Sequence, residues 1–283
     1  MIQTAWNCQG MRNPRTVLYL KEVIRSKNPS VLFLCETKMN SHSLNQIKRR
    51  YGFNKGYSVD PVGTAGGLSL WWKPDVEVSI LDSSPHWIDT MITSKAENFH
   101  GRFTWLYGTP YSQDKAIFWE SFPCCDLKDG NPWIIMGDLN EVNWSYEKEG
   151  GANWNRKRRR FLLEYMEKNN LLDLGFKGSI FTWERSLGEN GHVRERLDRA
   201  LANYHWIERW PNACVTYGLR IGSDHCPIVL DNNPVLSKGR RIFRLEANWL
   251  NDNSCVEVIK NSLNIRNRGP FVNQWAWKLR KCK

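Results

Sequence analysis

Short apolar runs recur along the chain with polar, turn-forming stretches between them: IQTAWN, VLFLCE, GGLSLWW, VEVSIL, WIDTMIT, FTWLYG, PWIIMGD, SIFTWE, HVRERLDRAL, CVTYGL and CPIVL. Runs this short and apolar, bounded by Gly, Pro, Asn and Asp, predict strands buried in sheets. Helical periodicity falls between some of them. PRTVLYLKEVIRSKN opens with Pro14 at a helix start and places Val17, Leu20 and Ile24 on one face. RKRRRFLLEYMEKNNL stacks Phe161 on Tyr165 and Leu162 on Met166 behind a basic leader. Many strands with only four or five helices do not alternate as βαβ units. The pattern predicts two packed sheets with helices outside, an α+β layered sandwich. There is no internal repeat and no low-complexity segment. After Leu230 the pattern changes: DNNPVLSKGRR is polar, turn-rich and basic, and reads as a linker. LEANWLNDNSCVEVIKNSL beyond it is a helical candidate too small to form a domain alone. The expected organisation is one domain over residues 1–230 and a basic tail over 231–283.

Composition changes this picture little, and charge changes it more. At 283 residues, 41% hydrophobic and 24% charged, the chain is an ordinary globular protein with room for a sizeable core. Most of its 15 tryptophans are expected in sheets and core. The formal net charge is +11, which points to a polyanionic partner such as DNA. Residues 231–283 hold 11 basic and 4 acidic side chains, leaving 29 and 25 for residues 1–230. Arg156-Lys157-Arg158-Arg159-Arg160 is a dense cluster, readable as a solvated helix face, a nucleic-acid contact or a nuclear-import signal. The eight cysteines form no CxxC pair and no zinc spacing, and Cys8, Cys35 and Cys226 lie in or beside apolar runs, as small hydrophobes do. No run reaches signal-peptide or membrane length. A reducing compartment, nucleus or cytoplasm rather than secretion, is expected, and a monomer with no obligate protein partner.

The chemistry gathers where apolar runs stop. IQTAWN ends in Asn7, VLFLCE in Glu36, and FTWLYG carries Tyr107. PWIIMGDLN ends in Asp138 and Asn140, RERLDRAL holds Asp198, and GSDHCPIVL brings Ser223, Asp224 and His225 just ahead of an apolar strand. A carboxylate at the end of a buried strand is desolvated on one side and needs a cation, hydrogen bonds or a proton. Each position also has a plainer account: Asp138-Leu139-Asn140 as an Asx turn, Glu36-Thr37-Lys38 as a polar loop start, Ser223-Asp224 as turn chemistry with His225 a surface histidine. Taken together, strand ends of one kind predict convergence on a shared site.

The ordered set WNCQG, LCETK, LYGTPYS, IMGDLNEV, RLDRAL and SDHCPIVL resembles the endonuclease/exonuclease/phosphatase superfamily. Within it, the set is most similar to the apurinic-type endonuclease domain at the N-terminus of plant-type non-LTR retrotransposon polyproteins. The resemblance covers about residues 1–230, and GDLN followed downstream by SDH before an apolar strand is its specific part. RRIFRLEANWL in the tail is similar to the linker placed ahead of reverse transcriptase, although no Tyr-x-Asp-Asp follows. The implied fold is a four-layer αββα sandwich, DNase I-like, with two mixed sheets flanked by helices. The implied activity is Mg²⁺-dependent phosphodiester hydrolysis, with Mn²⁺ as an alternative ion, nicking DNA.

By the same resemblance, Glu36 is the principal metal ligand with Asn7 alongside, and Asp138 is the general base with Asn140 orienting the water. His225 donates to a phosphate oxygen and Asp198 fixes its tautomer. Asp224 acts near the leaving oxygen or the metal, and Tyr107 adds a phenolic donor. Trp183 lies in a strand expected to line the DNA groove, and Trp144 and Trp154 look exposed. One position departs from the pattern: Gln9 stands where many relatives have an acid or a shorter amide, which bears on metal stoichiometry. Two alternatives follow, an abasic-site repair nuclease or small-molecule phosphatase of the same superfamily, and a silent nucleic-acid-binding remnant.

Overall fold

In the computed structural model of the chain, the apolar runs become strands covered on both faces. The structure describes residues 1–124, 130–155, 159–188, 191–234 and 253–264. The chain divides into two compact units, residues 1–234 and 235–283. In the first unit, one six-stranded sheet holds β1 (Ile2–Asn7), β2 (Val31–Cys35), β3 (Lys55–Val59), β4 (Leu68–Trp72), β14 (Cys214–Tyr217) and β15 (Ile228–Asp231), ordered β14-β15-β1-β2-β4-β3. A second holds β5 (Glu77–Ser83), β6 (Trp87–Ser94), β7 (Phe99–Tyr107), β8 (Trp133–Asp138), β10 (Leu171–Asp173) and β13 (Asp198–Asn203), ordered β10-β13-β8-β7-β6-β5. A small sheet, β11-β12-β9, is made of β9 (Lys148–Glu149), β11 (Trp183–Ser186) and β12 (His192–Glu195).

The period of two along each strand explains the layers. In β2, Val31, Phe33 and Cys35 face the second sheet, whose β8 contributes Ile134 and Met136 to the same core. The alternate residues Leu32 and Leu34 pack outward with Leu20 and Leu44, from helices α1 (Pro14–Lys27) and α2 (Ser41–Arg50). On the other side Trp133 and Ile135 pack with Phe118, Trp119, Leu162 and Met166, from α3 (Lys115–Ser121) and α4 (Phe161–Lys168). Strands buried on both faces read as unbroken apolar runs, which is how these appear in the sequence. The result is the expected αββα sandwich of two mixed sheets. Trp6, Trp71, Trp105, Trp133 and Trp206 are fully buried, the last in α5 (Tyr204–Arg209).

The connections decide which strand ends meet. β1 and β2 are parallel, as are β7 and β8, and helices α1 and α3 lie in the two crossovers. β15 runs antiparallel to β1, and β13 antiparallel to β8. The ends of β1, β2, β7 and β8 and the beginnings of β13 and β15 are thereby gathered at one edge. Gly222 makes the turn before β15 at φ +75°, where a Cβ would lie 2.6 Å from the Thr16 amide nitrogen of α1.

Several expectations change. HVRERLDRAL is two strands rather than one, split at Arg196-Leu197 between the small sheet and the second sheet. The split is held by the Arg196 N–H donating to the Glu147 carbonyl and the Leu139 N–H donating to the Leu197 carbonyl. In SIFTWE only Trp183 and Glu184 are strand; before them the Thr182 hydroxyl accepts the backbone N–H groups of Leu197 and Asp198, while its own N–H donates to the Glu195 carbonyl. The helix in RKRRRFLLEYMEKNNL begins at Phe161, after the basic leader. In the second unit α6 (Asn253–Asn264) overlaps the second half of the helical candidate and runs one residue past it, and residues 235–252 fall outside the described residues. No helix among the described residues is long and apolar enough to cross a membrane.

Candidate active site

Every strand-end residue singled out above reaches the gathered edge. Asp138, closing β8, is in register with Tyr107 of β7 on one side and Asp198 of β13 on the other. Asn7 closes β1 beside Cys35 of β2, which carries Glu36 immediately after it. Trp183 of β11 forms a single bridge with His225. A cavity of about 540 Å³ opens here, and Asn7, Gln9, Glu36, Asp138, Asn140, Asp224 and His225 all line it.

Asp138 is the hub. Its Oδ2 accepts from Asn7 Nδ2 at 2.9 Å and from Asn140 Nδ2 at 3.2 Å, and lies 3.7 Å from His225 Nε2. Its Oδ1 accepts the Asn140 backbone N–H at 3.0 Å. The Asx turn is therefore real, and it leaves Oδ2 aimed into the site: the plain and the chemical account hold together. Asn140 is in the left-handed region at φ 50°, anchored by Nδ2 donating to the Gly108 carbonyl at 2.7 Å. Lys115, buried at the start of α3, donates to the Asn140 carbonyl and pairs with Glu141 at 3.1 Å. Lys115 carried no signal in the sequence, since a lysine at a helix start ordinarily faces solvent.

His225 Nδ1 lies 2.9 Å from Asp198 Oδ2, and both side chains are buried. Trp6 Nε1 donates to the His225 carbonyl at 3.0 Å. Ser223 Oγ accepts the His225 N–H at 3.1 Å and donates to the Asn7 carbonyl at 2.7 Å, so the turn chemistry of Ser223 sets the imidazole against β1. Burial opposes charge on His225, but Asp198 and Asp138 outweigh it and raise the imidazole to about 10. Burial pushes the Asp138 carboxyl up; the imidazole draws it down, Asp198 adds to the rise, and it stands at about 6.

Glu36 occupies the opposite wall at φ 50°. Its Oε1 accepts from Tyr107 OH at 2.7 Å and from Asn7 Nδ2 at 3.4 Å, and its Oε2 pairs with Lys38 at 3.0 Å. Burial raises the Glu36 carboxyl, and the bonds from Tyr107, Lys38 and Asn7 outweigh burial to hold it below the usual carboxylate range. Burial and the neighbouring Glu36 charge push the Tyr107 phenol up. Lys38 Nζ also donates to Gln9 Oε1 at 2.7 Å, so the departing residue is engaged by an ammonium.

Asp224 Oδ2 accepts from Trp183 Nε1 at 2.9 Å, whereas its Oδ1 is buried with no hydrogen-bond partner among the described residues. A buried anionic oxygen left unpaired is what a bound cation resolves. Donor atoms of Asp138, Asp198 and His225 also lie within 4.8 Å of one another. Carboxylate and amide oxygens dominate this edge, a donor set that suits Mg²⁺ or Mn²⁺ over softer ions. The site therefore fits a divalent metal.

Of the basic cluster, the described members Arg159 and Arg160 do not line this cavity. Arg159 pairs with Glu164 at 3.0 Å and stacks over Phe161, and Arg160 stacks over Trp144 at 5.1 Å, both at the start of α4. Arg156, Lys157 and Arg158 lie outside the described residues. Trp144 and Trp154 are half-buried rather than exposed. Behind the site lies a buried charge cluster missed in the sequence: Arg199 bonds Glu147 at 2.7 Å and Asp173 at 3.1 Å, and Arg196 bonds the same two acids.

Over residues 4–225 the chain matches the Endonuclease/Exonuclease/phosphatase family. It belongs to that family. The family joins nucleases and phosphatases, hydrolases of phosphate esters, and the edge of the sandwich carries the acids and imidazole such chemistry uses. Among curated proteins none matches the chain. Among solved structures, a 3'-5' exonuclease from Neisseria meningitidis is similar at TM-score 0.61 and 17% identity, over 82% of this chain and 99% of that one. The AP endonuclease LMAP from Leishmania major is similar at TM-score 0.59 and 16% identity, over 81% and 86%. The endonuclease domain of TRAS1, a telomere-specific non-LTR retrotransposon, gives TM-score 0.55 and 14% identity, over 84% and 99%. At these identities the likeness is one of fold.

Proposed function

We propose that the chain is a divalent-metal-dependent endonuclease that nicks DNA, of the kind carried by non-LTR retrotransposons. The observation that carries this reading is the meeting of Asn7, Glu36, Asp138, Asp224 and the His225–Asp198 pair in one cavity. Asp138, aligned by Asn7 and by the Asn140 turn, accepts a proton from the attacking water. Charged His225 donates through Nε2 to a non-bridging phosphate oxygen, and Asp198 holds the ring in the orientation this needs. Glu36, Asn7 and Asp224 would hold Mg²⁺ or Mn²⁺, which when bound neutralises charge on the phosphate. Tyr107, whose phenol donates to Glu36, orients that carboxylate beside the phosphate. The positive charge of the chain and the nucleases among its structural likenesses favour DNA over a small phosphorylated molecule.

The test is purified protein on supercoiled plasmid, with Mg²⁺ and with EDTA, beside an abasic-site duplex and an inositol phosphate. Conversion of plain plasmid to open circle in Mg²⁺, absent in EDTA, is the expected result. Cleavage confined to the abasic duplex, or phosphate release from inositol phosphate alone, moves the chain to the corresponding alternative.

A further inference from the structure

We propose that Trp183, Glu195 and Lys148 form a base-reading row beside the scissile phosphate, selective for guanine. The proposal rests on the DNA-nicking reading above. Trp183 is paired with Glu195 across β11 and β12, and Glu195 with Lys148 across β12 and β9. Trp183 is bridged on its other side to His225. Directly opposed residues in a ladder present their side chains on one face, so the four form a row with about 4.8 Å per step. All four line the catalytic cavity.

Along this row the chemistry changes from a phosphate donor to an indole, a carboxylate and an ammonium. The indole is fixed by its bond to Asp224 and offers a π-face on which a base stacks. Lys148 and Glu195 bond each other with side chains 18% and 20% exposed, and among the described residues the Glu195 carboxylate has no other side-chain partner. Largely withdrawn from water at the wall of a cavity, the pair regains in mutual attraction little more than it loses in hydration, so stability alone does not account for its place there. An acceptor beside a donor is a reading head for a base edge. Guanine matches it best. On the Watson–Crick edge guanine offers two adjacent N–H donors to a carboxylate and a carbonyl to an ammonium. In the minor groove of paired DNA its N2 amine is the one base donor on display.

The experiment maps nick positions by sequencing the ends made from a random-sequence duplex in Mg²⁺. The readout is the ratio of cleavage at guanine to other bases at one position beside the nick, a quantity internal to each protein. Wild type is expected to favour guanine about tenfold or more. Glu195→Gln and Lys148→Met are expected to bring the ratio toward one, as is deoxyinosine, which lacks the N2 amine, in place of that guanine for wild type. Placing the guanine in a bulge separates the two routes: faster cleavage marks Watson–Crick reading, slower cleavage minor-groove reading. A wild-type map without guanine preference, or one that both variants reproduce, overturns the base-reading row while the endonuclease reading stands. No nicking by wild type overturns that reading and this one with it.

Discussion

Asp198 Oδ2 lies 2.9 Å from one nitrogen of the His225 ring, while Asp138 Oδ2 lies 3.7 Å from the other. The imidazole is thus clamped between two buried carboxylates that come from neighbouring strands in register. Among the described residues the Asp198 carboxylate bonds only the ring, on the side away from Asp138, so its part is to hold charge and orientation. Asp198→Asn keeps the shape and removes the charge. The expected outcome is a kcat roughly 10- to 100-fold lower with KM little changed, as for other groups that orient an active-site histidine. Steady-state nicking kinetics measure it, and an unchanged kcat removes Asp198 from this role.

Asp138→Asn replaces the hub with a group that cannot take a proton. Nicking is expected to fall by about 10²- to 10⁴-fold. Binding of DNA in EDTA, followed by fluorescence anisotropy, is expected to persist, because the phosphate-facing surface is untouched. Loss of binding together with activity assigns Asp138 to architecture instead of chemistry.

DNA held through its phosphates releases counterions. Log affinity is therefore expected to fall linearly with log salt, with a slope of about −0.9 per phosphate neutralised. Titrations of the Asp138→Asn variant at several salt concentrations give the slope without cleavage. A flat response points to a substrate bound through other contacts.

The parts of the site legible in the sequence are those where an apolar pattern stops on a polar residue. Asn7, Glu36, Asp138 and Asp198 stand at the ends of buried strands, where a polar group must find a partner or a ligand. Ser223 and Asp224 are legible only in company, because the same letters serve a turn, and in the fold they serve both purposes. β3 is not legible: KGYSV is an edge strand with no fully buried residue, so it lacks an apolar run. Lys115 is hidden because its burial comes from contacts with the Asn140–Glu141 turn, distant in the chain. Arg199 does leave a trace. An arginine inside DRALAN, whose six residues are all buried, must be paired, but nothing local names Glu147 and Asp173 as its partners.

That buried cluster is expected to contribute to the acid stability of the domain. Burial pushes the Asp173 carboxyl up, and Arg196 and Arg199 outweigh burial to bring it from 3.8 down to about 2. Glu147 is lowered in the same way, against burial, by Arg199 and Arg196. A carboxyl whose folded value is depressed contributes stability that is whole above its unfolded value and lost as pH falls through the folded one. The denaturant midpoint is therefore expected to decline from about pH 4 to pH 2, with Asp173 accounting for on the order of 2 kcal/mol. Asp173→Asn is expected to be less stable at neutral pH and flatter across that interval. Arg199→Met, which leaves the buried Glu147 and Asp173 with Arg196 as their shared cation, is expected to cost up to about 3–5 kcal/mol at neutral pH. Urea unfolding across pH 2 to 7 checks all three, and a wild-type profile as flat as that of Asp173→Asn shows that the cluster does not set acid stability.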